Sequence, residues 1–133
     1  MKKGFVVDIE KETLENGNFR KVLYTAEHSQ LVLMSLEPKE QIDPEVHREN
    51  DQFFRFEQGR GKCVINETEY DVESGTVVIV PAGAKHSIIN SSENECLKLY
   101  TLYSPPHHKD GIVRKTKEEA ENDDPEFDGE TTE

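Results

Sequence analysis

The stretch DPEVHRENDQFFRFEQG, residues 43–59, concentrates side chains that can bind a metal ion. Glu45 and His47 stand two residues apart, and Gln52 precedes an alternating aromatic run. In an extended backbone, period-two alternation puts Glu45 and His47 on one face. The same rule places Gln52 beside two phenylalanines, where an amide needs a polar partner. Taken alone, the stretch is equally compatible with ordinary polar residues at the rim of a β-sheet.

A second stretch, GTVVIVPAGAKHSIIN at residues 75–90, adds another imidazole. Its Pro-Ala-Gly sequence predicts a turn between two strands, and His86 begins the second of them. A histidine considered alone at such a position is more often a hydrogen-bonded rim residue than a metal ligand. The two stretches therefore have to be interpreted together.

Together they resemble the paired sequence motifs of the cupin superfamily. The second cupin motif runs Gly, five residues, Pro-x-Gly, two residues, His, three residues, Asn. Every position of that motif is matched here, by Gly75, Pro81, Gly83, His86 and Asn90. The resemblance covers roughly residues 20–105 and extends to a group of small bacterial single-domain cupins that are often labelled mannose-6-phosphate isomerase-like.

The first cupin motif is matched in spacing, with three changes of residue type. Glu45 and His47 occupy its His-x-His positions, Gln52 occupies its Glu position, and Gly59 closes it. Lys39 stands where the motif begins with Gly. The carboxylate has in effect moved from the third ligand position to the first, so the set keeps one negative charge.

In cupins these four motif positions converge on one metal ion inside the barrel. The resemblance therefore implies four metal ligands, namely Glu45, His47, Gln52 and His86. Two histidines and one carboxylate correspond to the facial arrangement of non-haem Fe(II) sites, and Gln52 would add a weaker, neutral oxygen. The implied cofactor is one divalent transition metal, Fe, Mn, Ni, Co or Zn, whose identity stays open. The alternative is a metal-free polar cluster in the barrel mouth.

Short β-leaning segments, separated by turn residues, fill the rest of the chain. They span residues 4–9, 19–25, 30–38, 52–59, 61–72, 76–83, 86–90 and 97–106. Only KTKEEAEN, near the end of the chain, is typical of a helix. This pattern predicts an antiparallel sandwich or barrel. The resemblance implies, more specifically, the all-β cupin double-stranded β-helix, which is a jelly-roll β-barrel.

A few residues outside the motifs bear on a pocket. Tyr103 either reaches the barrel mouth or packs in the core. His107 and His108 follow two prolines and are expected in a solvent-exposed loop. Arg55 and Arg60 are candidates for binding an anionic group, although ion pairs are favoured on an acidic surface.

The chain has 133 residues and a formal net charge of −12. About −7 of this charge lies in residues 115–133, which hold nine acidic residues and two lysines. We expect a cupin β-barrel domain over residues 1–114 and an acidic tail, partly helical or disordered, over residues 115–133. Such an acidic chain would be repelled by nucleic acid and by anionic membranes.

The expected compartment is the cytoplasm. No apolar stretch is long enough for a membrane span or a secretory signal. Cys63 and Cys96 form no C-x-x-C pair and are expected to be reduced thiols. The resemblance implies a homodimer, because small cupins commonly pair through sheet edges or exchanged N-terminal strands.

Two classes of function follow from this interpretation. The first is a metal-dependent enzyme, isomerase-like or dioxygenase-like, that acts on a small polar molecule. Glu45 is its candidate general base, although serving as both ligand and base would be a conflict. The alternative is a non-catalytic, metal-containing barrel that binds or senses a small molecule. The fold hosts both classes and does not decide between them.

Overall fold

Ten β-strands and two short helices make up this computed structural model, which describes residues 1–133. The elements in chain order are α1 (Ile9–Glu15), β1 (Arg20–Thr25), β2 (Gln30–Leu36), β3 (Gln41–Val46), β4 (Asp51–Gln58), β5 (Arg60–Ile65), β6 (Thr68–Glu73), β7 (Val77–Val80), β8 (Lys85–Asn90), β9 (Leu97–Ser104), β10 (Val113–Arg114) and α2 (Lys117–Asn122). All strand pairs are antiparallel, in sheets ordered β10-β1-β2-β9-β4-β7 and β3-β8-β5-β6. The predicted all-β jelly-roll fold is confirmed.

The core lies between the two sheets and follows the period-two alternation of the strands. In β4 the inward residues Phe54 and Phe56 are fully buried, and in β9 Leu97 and Leu99 are fully buried as well. Ile88 of β8, in the four-stranded sheet, is buried in the same cluster. Burying such side chains contributes about 1.5–3 kcal/mol each, so this layer holds the sheets together. The two phenylalanines are therefore core residues.

A β-bulge in β3 determines which side chains enter the barrel. Ile42 is buried in the core, and strict alternation from Ile42 would turn Glu45 outward. The register between β3 and β8 shifts between Ile42 and Glu45, which adds one residue at Asp43 and Pro44. Such a bulge reverses the facing of the residues that follow it. Glu45 and His47 consequently face inward together, as their spacing predicts.

The strand predicted for residues 4–9 is wrong. This segment contains no strand, and α1 begins at Ile9. The Asp8 side chain accepts a hydrogen bond from the Lys11 backbone N–H at 3.2 Å and so caps the helix. Acidic residues in the first turn add favourable interactions with the helix dipole. The expectation of a single helix near the end of the chain is therefore wrong as well.

The acidic segment 115–133 contacts the body of the protein. Its predicted helical part is α2, where the Thr116 side chain accepts a hydrogen bond from the Glu119 N–H at 3.1 Å. Further along, the Thr132 N–H donates to the Thr25 carbonyl at 2.9 Å. The Glu133 carboxylate accepts from the Tyr24 hydroxyl at 2.6 Å. These contacts hold the segment along β1.

Ion pairs occupy the two surface arginines that the sequence singles out. Arg55 Nε lies 2.8 Å from Glu57 Oε1, and Arg60 Nη2 lies 3.6 Å from Glu73 Oε2. Each of the two guanidinium groups therefore faces a carboxylate, as is favoured on an acidic surface. Neither helix has the length and apolarity that crossing a membrane would require. The homodimer stays a prediction.

Substitution of Gly61 tests the close packing between β5 and its neighbours. We expect Gly61→Ala to lower the free energy of unfolding by about 1–3 kcal/mol, because the added methyl group would collide with the Ile89 carbonyl. Gly17→Ala is the matched control, since nothing lies within 4 Å of a Cβ there. Urea unfolding followed by circular dichroism measures both. Equal midpoints for the two variants would contradict the packing described here.

Asn90 tests the connection between β8 and the end of β2. Its amide nitrogen lies 3.1 Å from the Leu36 carbonyl, 3.0 Å from the Glu37 carbonyl and 2.8 Å from the Glu95 carbonyl. We expect Asn90→Ala to cost about 2–3 kcal/mol of unfolding free energy, since buried carbonyls would lose their donor. The exposed Asn94→Ala is the control and should change stability by less than about 0.5 kcal/mol. Unfolding midpoints that coincide would argue against this anchoring role.

Candidate metal site

Three potential ligands converge inside the barrel, where β3 pairs with β8. Glu45 is the direct cross-strand partner of His86, and His47 follows at the end of β3. Glu45 Oε1 lies 3.1 Å from His47 Nε2 and 3.6 Å from His86 Nε2. One ligand atom from each residue lies within 4.8 Å of the other two. The structure therefore brings together three of the four ligands implied by the sequence.

The Glu45 carboxylate is stabilised in its charged form. Burial raises its pKa, but hydrogen bonds and charge interactions with His47 and His86 outweigh burial and hold the pKa well below the usual range. The group is therefore a carboxylate anion under ordinary conditions. An anion flanked by two imidazole nitrogens is a suitable environment for a divalent cation.

His86 presents a nitrogen with no hydrogen-bond partner. Its Nδ1 lies 3.5 Å from the Ala84 carbonyl, a long contact that suits an Nδ1–H donor. A neutral His86 in that tautomer has a lone pair on Nε2 that can bind a cation, whereas a proton on Nε2 would be shared with the Glu45 carboxylate. His86 Nε2 is buried and unsatisfied. A divalent cation would take the place of that proton between Nε2 and the Glu45 carboxylate.

Gln52 contributes a second unsatisfied atom from the opposite sheet. Its Nε2 donates to Thr101 Oγ1 at 3.0 Å, which orients the amide and leaves Oε1 buried without a partner. Gln52 pairs across β4 and β9 with Tyr103, whose ring lies edge-on to His47 at 5.6 Å. A buried amide oxygen without a donor costs stability. The donor set and these unsatisfied atoms thus fit a divalent ion.

The prediction that His107 is solvent-exposed is wrong. The His107 ring packs 4.3 Å from the His47 ring and is stacked on Tyr103 at 5.2 Å, between ring centroids. Burial, reinforced by the charges of His108 and His47, lowers the pKa of His107 to about 4. His107 is therefore a neutral aromatic wall beside His47. The cause is the loop after β9, which folds back over the barrel mouth.

The same prediction is wrong for His108, which is buried in a polar chain. Its Nδ1 lies 3.1 Å from Asp124 Oδ1, and its Nε2 lies 3.2 Å from the Tyr103 hydroxyl. Because a carboxylate only accepts, Nδ1 donates to Asp124 and Nε2 accepts from Tyr103. Gln30 Oε1 holds the loop by accepting from the His108 backbone N–H at 3.0 Å.

The Tyr103 side chain is buried, and its hydroxyl faces His108. Burial, and then the charge of Glu45, raises the pKa of its hydroxyl well above the ordinary value. The hydroxyl therefore stays protonated and donates to His108. Of the two roles left open by the sequence, Tyr103 combines both, because it packs against His47 and lies between the metal-site residues and the C-terminal segment.

Solvent reaches the cluster past Glu45. The Glu45 side chain is 35% exposed, against 8% for His47 and 1% for His86. Glu45 lines a pocket of about 210 Å³ between β1, β3 and α2. A larger groove of about 680 Å³ includes His86, but the imidazole is too buried to open onto it. Glu45 is therefore the cluster residue that solvent reaches, through the smaller pocket.

Arg20 and Asp124 also line this pocket, and neither is identified by the sequence motifs. Arg20 Nη1 donates to Asp124 Oδ1 at 3.2 Å. The sequence does contain one indication that Arg20 is buried. Alternation along β1 puts it on the same buried face as Val22. Asp124 lies in the acidic segment, where nothing distinguishes it from its neighbours.

Comparison with known proteins agrees with this architecture. A family model described as Cupin domain matches residues 32–103, more than half of the chain. The crystal structure of BH2720 from Bacillus halodurans is similar with a TM-score of 0.89 and 38% identity, covering 91% of this chain and 96% of that chain. Cupin architecture is thus supported by both the sequence match and the structural match.

Two curated relatives are also similar. Uncharacterized protein L612 of Acanthamoeba polyphaga mimivirus is 46% identical over 112 residues, covering 82% of this chain and 70% of that protein. Uncharacterized protein YrkC of Bacillus subtilis is 42% identical over 124 residues, covering 89% of this chain and 66% of that protein. The chain thus spans only part of each relative's length. From the matched domain and the shared architecture, this chain belongs to the cupin family.

Proposed function

We propose that the protein binds one divalent transition metal ion through Glu45, His47, Gln52 and His86. The observation that carries this proposal is the convergence of the Glu45 carboxylate and two imidazole nitrogens inside the barrel. The unsatisfied atoms of His86 and Gln52 support it, since each is a buried potential ligand without a hydrogen-bond partner. Imidazole and carboxylate ligands suit Fe, Mn, Ni, Co and Zn alike.

We further propose that the metal-loaded site acts on a small polar molecule that enters past Glu45. A bound divalent ion would supply Lewis acidity for an isomerase-type reaction or an open coordination position for a dioxygenase-type reaction. His107 and Tyr103 pack against the His47 ring. The Tyr103 hydroxyl keeps its proton and is directed to His108, so it orients the wall of the site.

A non-catalytic binding or sensing barrel is the second candidate, and one observation favours it. Glu45, the candidate general base, interacts with both imidazoles. A carboxylate tied to ligands in this way is poorly placed to move a proton as well. The two candidates share the metal site and differ only in turnover.

Metal titration tests the shared part of the proposal. We expect one Co(II) or Zn(II) per chain in the wild type, measured by equilibrium dialysis and elemental analysis. His47→Ala and His86→Ala should lose more than the roughly 10–100-fold in affinity that loss of an outer-shell partner costs. His28→Ala is the matched control, because His28 is exposed and lies outside the site. Full stoichiometric binding by the His47→Ala, His86→Ala double variant would refute the assignment.

The proposed role of Gln52 as a metal ligand is tested by two substitutions that should change metal affinity in opposite directions. Gln52→Glu adds a negative charge at the position where the cupin motif has Glu, so we expect tighter metal binding by about tenfold or more. Gln52→Ala should weaken binding and leave it measurable, because a neutral amide is the weakest of the four ligands. If both variants bind metal as the wild type does, Gln52 is not a ligand.

Measurement of turnover distinguishes a metal-dependent enzyme from a non-catalytic binding or sensing barrel. We expect oxygen uptake with an enediol or catechol, or isomerisation of a phosphorylated sugar, by the metal-loaded protein and not by His86→Ala. A ligand-dependent rise in melting temperature without turnover would instead favour the binding barrel.

A further inference from the structure

Arg20 is a buried cation with unused hydrogen-bond donors. Its side chain is only 9% exposed. The guanidinium makes one hydrogen bond, from Nη1 to Asp124 Oδ1, and its Nε–H is buried with no acceptor. A guanidinium carries five N–H donors, and leaving a buried charged donor unpaired is costly. The Phe19 ring, 5.5 Å away, offers a cation–π contact but no hydrogen-bond acceptor.

The ion pair with Asp124 does not account for this arrangement by itself. Holding the C-terminal segment against β1 would need one donor, which Nη1 already provides. Arginine is suited to binding a carboxylate through two parallel N–H donors, and Asp124 takes only one. The Nε–H is enclosed, but Nη2 makes no hydrogen bond and is not enclosed, so it is the donor available to a second anion.

Arg20 and Glu45 line the same pocket of about 210 Å³. This pocket is smaller than the roughly 300–1,000 Å³ typical of drug-sized ligands. It thus suits a molecule of few atoms. Since Glu45 belongs to the candidate metal site, a molecule held by Arg20 in this pocket would lie beside that site.

The charges around the pocket identify Arg20 as its available cation. Two cations and four carboxylates line it: Arg20, Lys117, Asp43, Glu45, Glu121 and Asp124. Lys117 Nζ is already paired, 3.1 Å from Asp43 Oδ1 and 3.8 Å from Glu121 Oε1. The formal lining charge of −2 would be neutralised by a divalent ion at Glu45. Anion binding should therefore tighten when the metal is present.

We propose that this pocket binds the carboxylate of a small 2-hydroxy or 2-oxo acid, with Arg20 as the residue that selects for the anionic group. The second oxygen of such an acid is a ligand for a hard or borderline cation. The inference rests on the proposed metal site for the substrate's position. The Arg20 subsite itself depends only on residues of this chain.

The test follows the Arg20 side chain directly by NMR. Glycolate is titrated into Zn(II)-loaded and metal-free protein while the ¹⁵Nε–H signal of Arg20 is monitored, and glycolamide serves as the neutral counterpart. We expect a saturable shift of this signal with glycolate, at lower concentration in the Zn(II)-loaded protein, and none with glycolamide. Inorganic phosphate is titrated in parallel.

Three variants accompany the titration. Arg20→Gln should weaken glycolate binding about tenfold or more, as expected for loss of a charge-assisted hydrogen bond. Asp124→Asn should strengthen it severalfold, because the anion that competes for Arg20 is removed. The control is Arg60→Gln, whose side chain is 82% exposed and lies outside the pocket.

The outcomes separate the two proposals. If Zn(II) binds but the ¹⁵Nε–H signal of Arg20 does not shift with glycolate, the Arg20 subsite is refuted and the proposed metal site is unaffected. If Zn(II) fails to bind but the signal still responds in the metal-free protein, the subsite stands without the metal. Glycolate binding unaffected by Arg20→Gln, or a tighter Arg20 response to phosphate than to glycolate, would overturn the carboxylate assignment.

Discussion

Glu45 carries a negative charge into the mouth of the barrel, and the surrounding structure compensates that charge. A buried carboxylate is tolerated only where donors or cations face it. The bulge in β3 turns Glu45 inward, and the pairing of β3 with β8 sets His86 opposite. His47 then approaches the same carboxylate oxygen at 3.1 Å. The backbone register thus brings the three candidate metal ligands together.

A second group of buried polar residues extends from this cluster to the C-terminal segment. Tyr103 contacts His47, bonds to His108, and is thereby linked to Asp124 and Arg20. Each link is a hydrogen bond or a ring contact in a largely desolvated setting, where such interactions are stronger than in water. The acidic segment is therefore structurally part of the pocket, and its contribution is one particular carboxylate among many.

The sequence predicted the features that depend on local pattern. Period-two alternation located most of the strands and placed Glu45 and His47 on one face, while the match to the second cupin motif located His86. The failures at His107 and His108 involve contacts between distant segments. His108 is buried by Gln30 and Asp124, and neither partner can be inferred from the two prolines before it. Helix α1 was missed because the apolar residues before Asp8 outweighed its capping signal.

The bond between Arg20 and Asp124 joins residues 104 positions apart. Closing so long a loop is entropically costly, so this contact depends on the folded barrel to bring the two residues together. Glu45, His47 and His86 all lie within the two sheets or directly beside them, and they need no residue of the C-terminal segment to come together. Truncation of the chain before Asp124 would accordingly remove one side of the Arg20 pocket and leave the three candidate metal ligands in place.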